Sequence, residues 1–337
     1  MKPHRHKFLL SLLVATASFV AAPALAQTCS LKQIGNIKMT RAGAQGQGVF
    51  LMPMLINGTP RQMVLDIGAA FTDITPEAAA ELKLPTREID QAPAIVRRAL
   101  GFSSIVGAGG KRSEQYIHLD SLVVGNAVNA PNIDVLLSPK GVARPNPNIV
   151  GNVGVGLLSH FDLELDLANS TLNLFDSKHC DQVAYWNPAV LAAVPIHFDT
   201  KGRIRVTVEI DGKELDAVVS TGAVPDVVSL DAAESFLKFD KTAPGVVKGP
   251  PGAGGAEQYR ATFKTVSLEG ITIQNPNFLV LQDKLKQQMS QASSIGTSIR
   301  SGDNQEPDVT LGLDLLTKLH IFIDFGQKKM FVSAAGQ

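Results

Sequence analysis

The chain has 337 residues, 45% hydrophobic and 18% charged, with 31 basic and 31 acidic residues and a formal net charge of zero. This balance, with no Lys/Arg-rich block, excludes nucleic acid as the main partner, because phosphate binding needs a basic footprint. The apolar content excludes a disordered chain. Two cysteines cannot build a disulfide-dense miniprotein or a four-cysteine zinc site. The length suggests about two domains.

Residues 1–26 have the pattern of a secretory signal. Lys2, Arg5 and Lys7 precede an uncharged apolar run over 8–22, and Ala24-Leu25-Ala26 supplies an A-x-A cleavage site before Gln27. The run is shorter than the roughly 20 residues that span a bilayer, so cleavage near Ala26 and export to the periplasm or medium are expected, with no stable membrane span. Removal of the segment leaves 28 basic and 31 acidic residues, a mildly acidic mature chain. In an oxidising compartment Cys29 and Cys180 are candidates for a disulfide, two unpaired thiols being the alternative.

The mature chain repeats itself. A strand over 49–56 leads into Asn57-Gly58, and a second strand ends at Asp66-Ile67-Gly68-Ala69. At a constant offset of 154, a strand over 204–210 leads into Asp211-Gly212, and its successor ends at Ser220-Thr221-Gly222-Ala223. Asn-Gly and Asp-Gly suit the two positive-φ positions of a hairpin turn. The same offset pairs Thr75 with Ser229, each placed to cap a short helix, and Pro76 takes the first helical position in the first half.

Two further blocks recur in the same order. Gly107, Gly109 and Gly110 precede Glu114-Gln115-Tyr116, as Gly252, Gly254 and Gly255 precede Glu257-Gln258-Tyr259. Strands are expected over 117–124 and 261–268. Gly154 with Leu157-Leu158, and Gly312 with Leu315-Leu316, each precede a hairpin with a polar turn, over 166–171 and 324–329. The divisions read from this are a signal at 1–26, a first lobe at 27–176, a linker at 177–194 and a second lobe at 195–337.

These blocks resemble the retropepsin-like and pepsin-like aspartic peptidases, in the exported bacterial form with two lobes in one chain. The resemblance rests on an apolar strand ending in Asp-x-Gly-Ala, a glycine-bearing hairpin, and an apolar-Gly block, all duplicated. It implies a mainly β, bilobal fold of two tandem β-barrel-like lobes with short helices. It also implies a monomer that takes a peptide or protein in the inter-lobe cleft, with no cofactor and no metal. Gly107, Gly109, Gly110, Gly252, Gly254 and Gly255 become flap candidates. Asp66 and Ser220 stand at the two catalytic positions, with Ile67, Gly68, Ala69, Thr221, Gly222 and Ala223 in the active-site loops.

The sequence departs from the family pattern twice. Ile67 replaces the Thr or Ser that braces the first loop, and Ser220 replaces the second catalytic Asp. Aspartic peptidases share one proton between two adjacent carboxylates, one acting as base and the other as acid. A serine hydroxyl is too weak an acid for the second role. Impaired catalysis with retained peptide binding is one expectation; an active endopeptidase using Asp66 with Ser220 and water, or dimerisation, is the other. Asp216 lies inside a strand and Asp226 beyond the loop, so neither replaces Ser220. A Ser–His–Asp hydrolase lacks the G-x-S-x-G context, and none of His118, His160, His179, His197 and His320 sits in a motif. No metal-ligand spacing and no phosphate loop is present.

Overall fold

The computed structural model describes residues 31–43, 45–94, 96, 114–125, 127–139, 148–179, 186, 191–252, 255–282 and 306–336. The signal segment, Cys29, Cys180, Gly107, Gly109, Gly110 and Gly254 therefore lie outside the described residues.

The first half contains β1 (Gln33–Lys38), β2 (Thr40–Arg41), β3 (Phe50–Ile56), β4 (Thr59–Asp66), β5 (Asp73–Ile74), helix α1 (Pro76–Glu81) and β6 (Thr86–Glu88). It continues through β7 (Gln115–Val124), β8 (Val128–Leu137), β9 (Ile149–Gly154), the single-turn helix α2 (Val155–Leu158), β10 (Phe161–Asp166) and β11 (Thr171–Asp176). The second half holds β12 (Ala192–Pro195), β13 (His197–Phe198), β14 (Ile204–Ile210), β15 (Lys213–Val219), β16 (Asp226–Ser229) and α3 (Leu230–Phe236). After these come β17 (Val247–Lys248), β18 (Gln258–Thr262), β19 (Thr265–Leu268), β20 (Ile271–Gln274), β21 (Asn277–Leu281), β22 (Val309–Leu311), α4 (Leu313–Leu316), β23 (Leu319–Asp324) and β24 (Lys329–Ala334).

The repeat in the sequence is a repeat in the sheets. In the first lobe β4 pairs with β9 in parallel, β5 with β9 antiparallel, and β5 with β8 in parallel. In the second lobe β15 pairs with β22 in parallel, β16 with β22 antiparallel, and β16 with β21 in parallel. The turns are those the dipeptides demand: Asn57 and Gly58 have φ of 47° and 79°, and Asp211 and Gly212 have 49° and 77°. Thr75 Oγ1 accepts the Ala78 N–H at 3.2 Å, and Ser229 Oγ accepts the Ala232 N–H at 3.2 Å, so both expected caps form.

The lobes differ in one hairpin. β7 and β8 run unbroken for ten residues each. Their counterparts divide into β18 with β19 and β20 with β21, so the strand expected over 261–268 is interrupted at Phe263 and Lys264. Opposite the break stand Asn275, with φ of 51°, and Pro276, which has no N–H to give to the ladder. A short strand, β5 or β16, also intervenes between each Gly-Ala loop and its helix.

Six strands belong to neither lobe alone. They form one sheet in the order β1-β11-β10-β23-β24-β12, with β10 of the first half against β23 of the second. Leu163 faces Ile323 and Leu165 faces Ile321 across this junction, and all four are fully buried. Most of the buried apolar side chains of both lobes and of this sheet belong to one continuous cluster. That continuity fixes the lobes against each other.

Candidate active site

Each loop leaves the C-terminal end of a central parallel strand. The loop after β4 carries Asp66 to Ala69; the loop after β15 carries Ser220 to Ala223. The apolar-Gly blocks hold both loops in the same way. Val155 and Gly156 donate to the carbonyls of Ala69 and Ala70 at 2.8 and 2.9 Å, while Leu313 and Asp314 donate to those of Ala223 and Val224, both at 2.9 Å. The two halves of the repeat thus bring Asp66 and Ser220 to one point from opposite lobes.

The geometry there is close. Ser220 Oγ donates to Asp66 Oδ1 at 3.2 Å. The same oxygen accepts the Gly68 N–H at 2.9 Å and the Gly222 N–H at 3.2 Å. A Cβ on Gly68 would collide with the Ser220 side chain, and one on Gly222 would collide with the Asp66 carboxylate. Glycine at both positions is therefore the condition for this approach.

One of the two expected braces is present. Thr221 Oγ1 donates to the Leu65 carbonyl at 2.7 Å and accepts the Ile67 N–H at 3.1 Å. Both Thr221 and Ile67 are fully buried. Ile67 has no hydroxyl to return the bond, and fills its place by apolar packing.

Burial raises the Asp66 pKa above its ordinary value, and the Asp73 charge raises it further; the bonds from Gly68, Ser220 and Gly222 oppose the rise. The residue keeps some contact with solvent, yet protein surrounds the carboxyl group densely enough for desolvation to dominate. An ionised Asp66 can take up a proton and a protonated one can give one, but a single carboxyl group is in only one of these states at a time.

Neighbouring acids have other duties. Asp216 is ion-paired to Arg205, whose Nε lies 3.2 Å from Asp216 Oδ1. Asp226 is buried and accepts the Gly312 N–H at 2.7 Å. Its counterpart at the 154 offset is Thr72, which accepts the Gly154 N–H at 3.2 Å. Burial pushes the Asp226 pKa up to about 7, with the Asp314 charge adding to the rise. The alignment of Thr72 with Asp226 was visible in the sequence, but its meaning was not. The network of Asp73 with Ser138 and Asn152 had no sequence signal.

Among the described residues Ser220 Oγ bonds to Asp66, and no histidine reaches it; His118, His179 and His320 pair instead with Asp134, Asp162 and Glu164. Of the flap candidates, Gly252 and Gly255 are described. They lie in the turn joining β17 to β18, where Gly252 donates to the Ala256 carbonyl at 2.8 Å and Gly255 to the Gly252 carbonyl at 3.0 Å. One cluster of possible metal ligands occurs among the described residues, Asp162, His179 and Asp324, within 4.8 Å of one another in the shared sheet and its exit. It was not legible as a spacing, because the tertiary fold supplies it from three separate segments.

Two β lobes, each offering a glycine-bearing loop to a common centre and joined by a shared sheet, define the bilobal aspartic-protease fold. A family profile described as Aspartyl protease matches residues 52–155 and 206–315, and the chain belongs to that family. No curated protein matches the chain. Among solved structures it is similar to basic 7S globulin from soybean, at 12% identity over 91% of this chain and 99% of that one, with a TM-score of 0.48. It is similar to an aspartic proteinase from Irpex lacteus at 12% identity, 90% and 97% coverage and a TM-score of 0.49. A retropepsin-like aspartic protease from Rickettsia conorii is 20% identical over 44% of this chain and 95% of that one, with a TM-score of 0.29.

Proposed function

We propose that this protein binds an extended peptide between its lobes and cleaves it poorly, Asp66 being the one carboxylate at the catalytic centre among the described residues. The observation that carries this reading is the 3.2 Å bond from Ser220 Oγ to Asp66 Oδ1. It supports placing serine where the partner carboxylate would share a proton. Asp66, when ionised, takes a proton from a water; Ser220 orients that water and holds Asp66 in place. No second acid is then available to protonate the scissile carbonyl. General acid–base groups contribute typically 10²–10⁴-fold each, so the loss is of that order. The peptide is held by main-chain pairing, as expected for a cleft between β lobes, under flaps that include Gly252 and Gly255.

The mature protein is read as an exported monomer beginning near Gln27, with Cys29 and Cys180 joined. Among the described residues no helix is long and apolar enough to cross a membrane. Mass spectrometry of the secreted chain, before and after reduction, checks the new N-terminus and the disulfide.

Peptide-library digestion at acidic and neutral pH, beside direct peptide binding, tests the function. Binding with little or no cleavage is the expected result. Efficient cleavage abolished in Asp66→Asn would instead establish a working endopeptidase that operates with a single carboxylate.

A further inference from the structure

We infer that the protein selects peptides bearing a carboxylate, through a pocket of about 340 Å³ in which Arg41 of the first lobe and Arg260 of the second converge. The inference rests on the peptide-binding reading above and adds a substrate class to it. The volume falls within the range of small-ligand sites, roughly 300–1,000 Å³.

Val224-Pro225, the continuation of the Thr221-Gly222-Ala223 loop, lines the pocket. This stretch is fixed: Asp314 donates to the Val224 carbonyl, and the Gly222 N–H two residues earlier binds Asp66. A group seated here is thus anchored to the loop that completes the Asp66–Ser220 centre. Arg260 lies on β18, one arm of the hairpin whose tip holds Gly252 and Gly255.

Charge sets the ligand class. Arg41 is held by its own lobe: Nε donates to the Gly48 carbonyl at 3.0 Å, Nη2 to the Gln47 carbonyl at 3.2 Å, and the guanidinium stands 4.8 Å from the Phe50 ring centroid. These contacts orient the fork without neutralising it. Among the described residues neither Arg41 nor Arg260 forms an ion pair. Among the described residues Asp314 is the one acid lining the pocket and does not pair with either, so this lining carries a net positive charge. Guanidinium groups recognise planar carboxylates by paired, charge-assisted hydrogen bonds. Because one arginine comes from each lobe, the pocket exists only when the lobes are seated together.

The test is fluorescence-polarisation binding of labelled peptides to the full mature chain. Each acidic peptide is compared with its Asp→Asn or Glu→Gln counterpart, with free and with amidated C-termini. The acidic peptides are expected to bind roughly tenfold or more tightly, with the preference weakened by salt and removed in Arg41→Gln and in Arg260→Gln. A preference lost only on amidation identifies the terminal carboxylate as the anion and also supports the pocket. Binding that is indifferent both to the Asp→Asn or Glu→Gln change and to C-terminal amidation, or a preference surviving in both variants, overturns this inference alone. Absence of binding by every peptide overturns the peptide-binding reading and this inference with it.

Discussion

Ser220 and Asp66, 154 positions apart in sequence, meet across the lobe interface with Oγ 3.2 Å from Oδ1. The site has the closeness of a two-carboxylate centre but the charge of one. Replacing Ser220 by Asp supplies the second carboxyl group, with two more heavy atoms at a buried position. Ser220→Asp is expected to raise peptide cleavage by at least about 10²-fold at acidic pH, with the double variant Asp66→Asn/Ser220→Asp inactive. A fluorogenic peptide assay measures both.

The single brace at Thr221 has a measurable worth. Its hydroxyl serves the Leu65 carbonyl and the Ile67 N–H, both inside the lobe interface. Thr221→Val keeps the shape and leaves two buried backbone groups unpaired. Stability should fall by about 2–6 kcal/mol, from 1–3 kcal/mol for each of the two unpaired groups, as read from urea unfolding.

Asp226 makes stability depend on pH in a definite direction. Below about pH 4 it is protonated in both folded and unfolded chains. Its unfolded pKa is near the ordinary 3.8 and its folded pKa about 7, so between these values only the unfolded chain ionises. Stability is therefore lost as pH rises through this window, by about 4 kcal/mol in total. Asp226→Asn keeps an acceptor for the Gly312 N–H and removes the titration. The variant should gain stability over the parent steadily from pH 4 to pH 7, in unfolding curves taken across that range.

The shared sheet has its own vulnerable point. Asp162 and Asp324 sit on the neighbouring strands β10 and β23, and His179 bonds Asp162 and lies 3.7 Å from Asp324. All three side chains are buried. Burial raises the Asp162 pKa, His179 opposing the rise. Removing the histidine leaves two buried carboxyl groups facing each other, a loss of about 3–5 kcal/mol by analogy with broken buried pairs. His179→Ala should lower the thermal midpoint at neutral pH, with partial recovery in acid as Asp162 takes up a proton.

Much of this architecture was legible in one dimension, because duplication repeats local chemistry. The Asn57-Gly58 and Asp211-Gly212 turns, the Thr75 and Ser229 caps and the apolar-Gly blocks each obey short-range rules. Two copies in one order specify two like lobes. The break at Phe263 has no such local signal: β8 runs unbroken although it carries Pro131 beside Asn132 at a φ of 52°.

The sequence by itself determined that two matching glycine-bearing loops exist, that one bears Asp66 and the other Ser220, and that one brace is absent. Only the tertiary structure decided the rest. It set which oxygen of Asp66 receives Ser220, Gly68 and Gly222, and how strongly burial resists ionisation there and at Asp226. It also placed Arg41 and Arg260 in one pocket, and His179 beside Asp162 and Asp324. The reason is physical: turns and caps depend on neighbouring φ, ψ and side chains. Distances between lobes, and the dielectric around a buried charge, depend on how distant segments pack.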